Sequence, residues 1–184
     1  MNIVTLDVET TASHKPNGSW TPSPFFENRL VSVGYKHVTD LTVDYLCFYH
    51  TEERETPQGW PQLDKVLSRC DLLIGHNIKF DLMWLRECGW TYNGKIYDTM
   101  IGEYILAGSR RWPLSLAALA EKYEVGSKKK DLVQPYLDDG ITFDKIPYNI
   151  VEEYGKEDVL VTERIALKQA EAFGTTLERM YNDK

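Results

Sequence analysis

The sequence predicts an α/β fold with a mixed β-sheet, an antiparallel meander plus parallel strands, flanked by α-helices. Three observations carry that prediction. Strand-like segments come first: "NIVTLDVE", then "RLVSVGYKHV" and "LTVDYLCFYH", rich in Val, Leu, Tyr and Phe and separated only by "TD". Helical segments follow and enclose a short apolar strand, "DLLIGHN". Finally, Ile3, Val4, Leu6 and Val8 make the first strand apolar on both faces, as befits a central, covered strand.

The elements follow in order. Residues 12–28, "ASHKPNGSWTPSPFFEN", are rich in Pro, Ser, Asn and Gly and read as a loop. After the meander, "PQGWPQLDKVLSRC" reads as a helix, with a proline in its first turn and Leu63, Val66 and Leu67 on one face. "FDLMWLREC" is a helix stopped by Gly89. "TMIGEYILAG" and "SLAALAEKYEVG" are two more, the second capped by Ser115. "SKKKDL" reads as a basic loop, and a helix runs from Asn149 to about Ala172, after Pro147. With no internal repeat, residues 1–184 read as a single domain.

Composition narrows the function. With 42% hydrophobic and 27% charged residues, the chain folds around a core rather than staying disordered. No apolar run reaches bilayer length, and the N-terminus lacks the order of a signal peptide. Cys47, Cys70 and Cys88 are odd in number and far apart, which argues against a disulfide framework or zinc cluster and fits a reducing compartment. The net charge of −7 excludes general nucleic-acid binding by electrostatics alone. Any nucleic acid must be met by a local basic patch or by bound cations.

Three constellations carry chemistry. In "IVTLDVETT", Asp7 and Glu9 are two apart on a strand and share a face. Two like charges there repel, so either the face meets water on an edge strand or something positive lies between them. In "IGHNIKFDLMWL", a strand ends at Gly75, His76 and Asn77 make the turn, and Asp81 falls early in a helix. Asp81 alone reads as a first-turn acid favoured by the helix dipole, Asn77 as a turn or cap residue, and His76 as a partly buried ring bonded to backbone. In "EEYGKEDVLVTERI", Tyr154 and Asp158 are four apart and share a helix face. Alone, they read as a core tyrosine and one solvated acid among several.

Taken in order, D-x-E, N-x-x-x-D and Y-x-x-x-D resemble the DEDD (DnaQ-like) 3′–5′ exonucleases. The tyrosine of the last motif matches their tyrosine type; the histidine type has His five before the last acid, where Glu153 stands here. "YDTMIGEYIL" and "SLAALAEKY" are similar to segments of the proofreading domain of family A DNA polymerases, phage-type members especially. The resemblance implies a ribonuclease H-like fold and a site in which Asp7, Glu9, Asp81 and Asp158 hold two ions of Mg²⁺ or Mn²⁺ about 4 Å apart. Asp7 would bridge them, Glu9 and Asp158 would complete one, and Asp81 would serve the other. Tyr154 would orient the attacking water, and Thr10 and Asn77 would help place the terminal nucleotide. The implied substrate is the 3′ end of single-stranded DNA. RNA ends and a non-catalytic scaffold remain as alternatives. A separate DNA polymerase subunit is an implied partner, and the unit is either free-standing or part of a polymerase. The implied setting is the cytoplasm of a bacterial or phage-infected cell. Local positive charge comes from Lys128, Lys129 and Lys130, and from Arg110 and Arg111 beside Trp112, or these are solvated loops with a packed Trp.

Overall fold

The computed structural model describes residues 1–108, 110–126 and 130–182. In chain order it contains β1 (Ile3–Thr10), a hairpin of β2 (Ser13–His14) and β3 (Trp20–Thr21), a 3₁₀ turn over Pro24–Phe26, β4 (Leu30–His37) and β5 (Asp44–Cys47). Then come α1 (Gly59–Arg69), β6 (Leu72–Gly75), α2 (Lys79–Glu87), β7 (Lys95–Asp98) and α3 (Thr99–Ala107). The chain continues through α4 (Leu116–Tyr123), α5 (Lys130–Asp138), α6 (Tyr148–Ala172) and α7 (Leu177–Asn182).

The main sheet has the order β5-β4-β1-β6-β7, so β1 is central as its two apolar faces predict. β4 pairs antiparallel with β1 and β5, giving the meander. β6 pairs parallel with β1 and β7, each parallel step crossing over through a helix. Val4, Leu6 and Val8 point one way, into a core with Leu63 and Leu67 of α1 and Trp84 and Leu85 of α2. Ile3 points the other way and packs on Ile74 and on Ala166 and Ala170 of α6. By strand alternation Thr5, Asp7 and Glu9 share that second face, beneath α6.

Two glycines let α6 lie close to the sheet. A Cβ at Gly34, the strand partner of Asp7, would come within 3.0 Å of Val159 Cγ2. A Cβ at Gly155 would stand 2.6 Å from the Tyr45 ring. The buried ion pair of Lys36 and Glu163, at 2.8 Å, ties β4 to α6 on the same face.

The sequence pattern does not single out β7, the β2–β3 hairpin, α5 or α7. β7 is a four-residue edge strand with Lys95 and Ile96 both exposed, too short to show alternation. α5 carries Pro135 in its interior, a residue that reads as a helix breaker. The segment "SKKKDL" is helical from Lys130, which opens α5, while residues 127–129 lie outside the described residues.

The close approach of α6 generates a test. Alanine is the better helix former by about 1 kcal/mol. Overpacking against the Tyr45 ring costs about 1–3 kcal/mol. Gly155→Ala is expected to lower the urea midpoint of unfolding despite its helix propensity; a raised midpoint would mean that Tyr45 moves aside freely.

Candidate active site

β1 ends in an irregularity that shapes the site. Glu9 pairs with Ser32 but Thr10 pairs with Leu30, so β4 carries an extra residue and the strand end is bent. Asp7 is half-buried, while Glu9 and Thr10 are buried. On the other side, β6 pairs with β1 only as far as Thr5↔Ile74 and stops at Gly75. The Val8 N–H, left beyond the end of β6, donates to Asp81 Oδ1 at 3.0 Å. Asp81 lies in the first turn of α2, and it thus replaces the missing ladder bond. Burial pushes its carboxyl well above the usual carboxylate range, and the Asp7 charge adds to this.

The turn between β6 and α2 is held by a residue that sequence reasoning missed. The buried Asp98 carboxylate accepts from the N–H groups of Asn77 (2.9 Å), Ile78 (3.1 Å) and Met100 (2.9 Å). It caps α3 and clamps the neighbouring turn at once. Asn77 is exposed and takes φ +55°, a left-handed conformation that Asn tolerates. Asn77 is therefore a turn residue and not a helix cap. His76, partly buried, bonds the Thr99 hydroxyl at 2.9 Å through Nδ1. The available signal for Asp98 is its place at a strand end before a helix, the usual position of an N-cap.

From above, α6 brings down Tyr154 and Asp158, both buried. Asp7, Glu9 and Asp158 each offer a carboxylate oxygen within 4.8 Å of the others. Asp81 stands outside that group but close enough to feel the charge of Asp7. The Tyr154 hydroxyl donates to Asp158 and also faces Glu9 and Asp7. Burial first, then those three charges, raise its phenol far above the ordinary value, so it remains protonated. Phe143 packs its ring 5.7 Å from that of Tyr154. Tyr45 is a second residue missed at the sequence level. It bonds Ser32 Oγ at 2.7 Å and donates to Val151 O at 3.2 Å, and burial and the Glu9 charge push its phenol well up. Nothing in a short strand marks it beyond aromatic content.

An all-oxygen set of clustered, largely buried carboxylates fits a hard divalent cation, which relieves their mutual repulsion. Lys128 and Lys129 lie outside the described residues, and Lys130 is the first residue of α5. Arg110, Arg111 and Trp112 line one surface hollow with Tyr104 and Leu114, and Lys122 lies over the Trp112 ring at 5.5 Å.

Residues 29–170 match the model of a family described as 3′–5′ exonuclease. The chain is 36% identical over 110 residues to a DNA polymerase of Bacillus phage SP01; the match spans 58% of this chain and 12% of that protein, so the chain corresponds to a small part of its relative. Among solved structures it is similar to a nuclease in its apo form, with a TM-score of 0.64, 17% identity and coverage of 98% of this chain and 78% of that one. It is also similar to Brucella melitensis NrnC with bound Mg²⁺ (TM-score 0.55, 20% identity, 98% and 78% covered). The POL domain of Pol1 from M. smegmatis, in complex with DNA primer-template and dNTP, matches at a TM-score of 0.58 and 15% identity, over 92% of this chain and 24% of that one. The fold is ribonuclease H-like.

Two tests follow from the geometry. Asp98→Ala removes the acceptor of three backbone N–H groups, each costing about 1–3 kcal/mol where it stays buried. Amide exchange at Asn77 and Ile78 is expected to accelerate on the order of 10-fold or more, and unchanged protection would mean that the turn holds itself. The second test concerns pH. A carboxyl raised in the fold binds its proton more tightly than in the unfolded chain, so its ionisation destabilises the native state as pH rises. Asp81→Asn keeps the acceptor for Val8. In EDTA at neutral pH it is expected to melt above wild type, with the gap closing as pH falls and Asp81 takes up its proton. A gap that widens on acidification would refute the burial argument.

Proposed function

This chain belongs to the 3′–5′ exonuclease family, and from that premise we propose that it hydrolyses phosphodiester bonds at the 3′ end of single-stranded DNA, releasing nucleoside 5′-monophosphates in proofreading. The carrying observation is the convergence of Asp7, Glu9 and Asp158 within 4.8 Å at the C-terminal end of the central strand. That is where α/β sheets place their ligands. The likeness to a phage DNA polymerase favours DNA as the substrate and a polymerase as the partner.

In this reading Asp7, Glu9 and Asp158 would hold one divalent cation, Mg²⁺ or Mn²⁺, and Asp7 with Asp81 would serve a second. Cations held there would supply Lewis-acid polarisation of the scissile phosphoryl group and a more acidic attacking water. The remaining roles belong to the chain itself. Tyr154, kept protonated by burial, would turn its one hydroxyl hydrogen from Asp158 to the attacking water and so orient it, taking no proton from it. Asp81 keeps its distance from Asp7 because Val8 fixes one of its oxygens. Thr10, at the end of β1, and Asn77, in the turn before α2, would contact the terminal nucleotide. Lys128, Lys129 and Lys130 would contact phosphates upstream.

The test uses 5′-labelled DNA and RNA oligonucleotides with Mg²⁺, Mn²⁺ or EDTA. DNA is expected to shorten stepwise from its 3′ end only with metal. Preferential shortening of RNA would replace the substrate, and no metal-dependent shortening of either would remove the activity. Asp7→Ala and Asp158→Ala are expected to fall to background, with Asp158→Ala losing a site in calorimetric metal titration. Tyr154→Phe keeps the ring and deletes one oriented donor, a loss on the order of 10²–10³ in rate. It should retain metal-dependent turnover and normal metal affinity. A folded, metal-loaded Tyr154→Phe as inactive as Asp158→Ala would assign proton transfer to the tyrosine.

A further inference from the structure

We propose that Trp20 and the cavity beside it form a stacking subsite for one upstream base of the single strand, distinct from the 3′-terminal base; the subsite rests on the exonuclease reading above. The cavity is about 210 Å³ and is lined by Ala12, Trp20, Leu137, Gly140, Ile141 and Thr142. Drug-sized ligands occupy about 300 Å³ or more, so this hollow suits a single flat ring system.

Its place in the fold connects it to the acids. Ala12 lies two residues beyond the end of β1, the strand that carries Asp7 and Glu9. On the opposite wall, Ile141 packs in the same apolar cluster as Tyr154, together with Phe143. The Phe143 and Tyr154 rings, 5.7 Å apart, belong to that cluster, and the Tyr154 hydroxyl bonds Asp158. A strand whose terminal phosphate lies at the acids would carry a preceding base toward Trp20.

Trp20 is fixed although it is 49% exposed. It pairs with His14 across the β2–β3 hairpin, and the two rings meet at a centroid distance of 4.1 Å. The next residue, Thr21, is buried and anchors the hairpin. A held aromatic plane loses little freedom when a base stacks on it. Gly140 lines the hollow with φ +75°, which disfavours side chains, and a Cβ there would lie 3.8 Å from Trp20 Cζ2, in ordinary van der Waals contact with that ring. The lining is mostly apolar, and the one hydroxyl, of Thr142, is engaged with Asp144. Such a surface reads the face of a base and not its edge, as an exonuclease indifferent to sequence requires.

The experiment measures kcat and KM on a 5′-labelled DNA oligonucleotide with Mg²⁺, for wild type, Trp20→Ala and Trp20→Phe. Loss of one stacked base corresponds to roughly 5- to 100-fold in affinity. Trp20→Ala is expected to raise KM by that factor with kcat nearly unchanged, and Trp20→Phe to restore most of it. A series of substrates with a single abasic residue, moved stepwise from the 3′ end, locates the base. At one interior position the abasic residue should raise the wild-type KM and erase the difference between wild type and Trp20→Ala. If Trp20→Ala fails to fold, Trp20→Phe and the abasic series on wild type still decide. An active wild type whose KM is insensitive to Trp20 and to every interior abasic position overturns the subsite alone. A wild type that shortens no DNA overturns the exonuclease reading and the subsite with it.

Discussion

Electrostatic repulsion among carboxylates is the constraint on which the rest of this structure depends. Asp7, Glu9 and Asp158 present oxygens within 4.8 Å of one another, and Asp81 lies near enough to Asp7 for its carboxyl to be raised. Like charges this close would drive apart any mobile segments that carried them. They stay together because the central strand and the long helix are locked by apolar packing. Tolerance of close approach at Gly34 and Gly155 sets how far α6 descends. The buried Lys36–Glu163 pair fixes the same helix farther along, where burial raises the Glu163 carboxyl and Lys36 opposes that effect. The apolar core thus stabilises an arrangement that its charges oppose, and a divalent cation is the natural relief.

The second organising feature is a mismatch of strand lengths. β1 runs to Thr10, but its parallel neighbour pairs only as far as Thr5. The uncovered edge leaves room for a turn and the start of α2. Asp81 uses that room to bond Val8, and Asp98 holds the turn that delivers it. The two acids have different jobs although both are buried. Asp98 accepts from three backbone donors around the turn, whereas Asp81 accepts from Val8 and its own backbone N–H and faces Asp7. The site is therefore built from the end of the sheet inward, with backbone groups setting the positions of side chains.

Much of this was legible in the sequence, for reasons that can be named. The apolar residues on both faces of "IVTLDVE" placed β1 at the centre, and "TD" between two strand-like runs gave the meander. Period and spacing put Asp7 with Glu9 and Tyr154 with Asp158, because strand and helix geometry alone fix those relations. What was not legible depends on tertiary partners. Asp98 acts across a gap of about twenty residues, and no local pattern distinguishes it from an ordinary cap. Tyr45 matters through the helix that covers it. Pro135 sits inside α5, so propensity points the wrong way where packing of Val133 decides. The loop of residues 12–28 reads as polar and irregular, yet its Trp20 is a fixed ring with a partner.

The acidic character of the chain now has a physical place. A net charge of −7 repels a phosphate backbone at long range, so association cannot rely on the whole surface. Two kinds of contact escape that repulsion. Cations held by the acids would reverse the local field at the scissile phosphate. Stacking on an aromatic plane is insensitive to net charge, because it acts through the face of a base. Trp20 beside an apolar hollow offers the second kind within the same neighbourhood that offers the first. An enzyme built this way would hold a strand by its end, by one stacked base and by the few phosphates within reach of Lys128, Lys129 and Lys130. Its binding should therefore depend on salt less than that of a basic groove that tracks many phosphates.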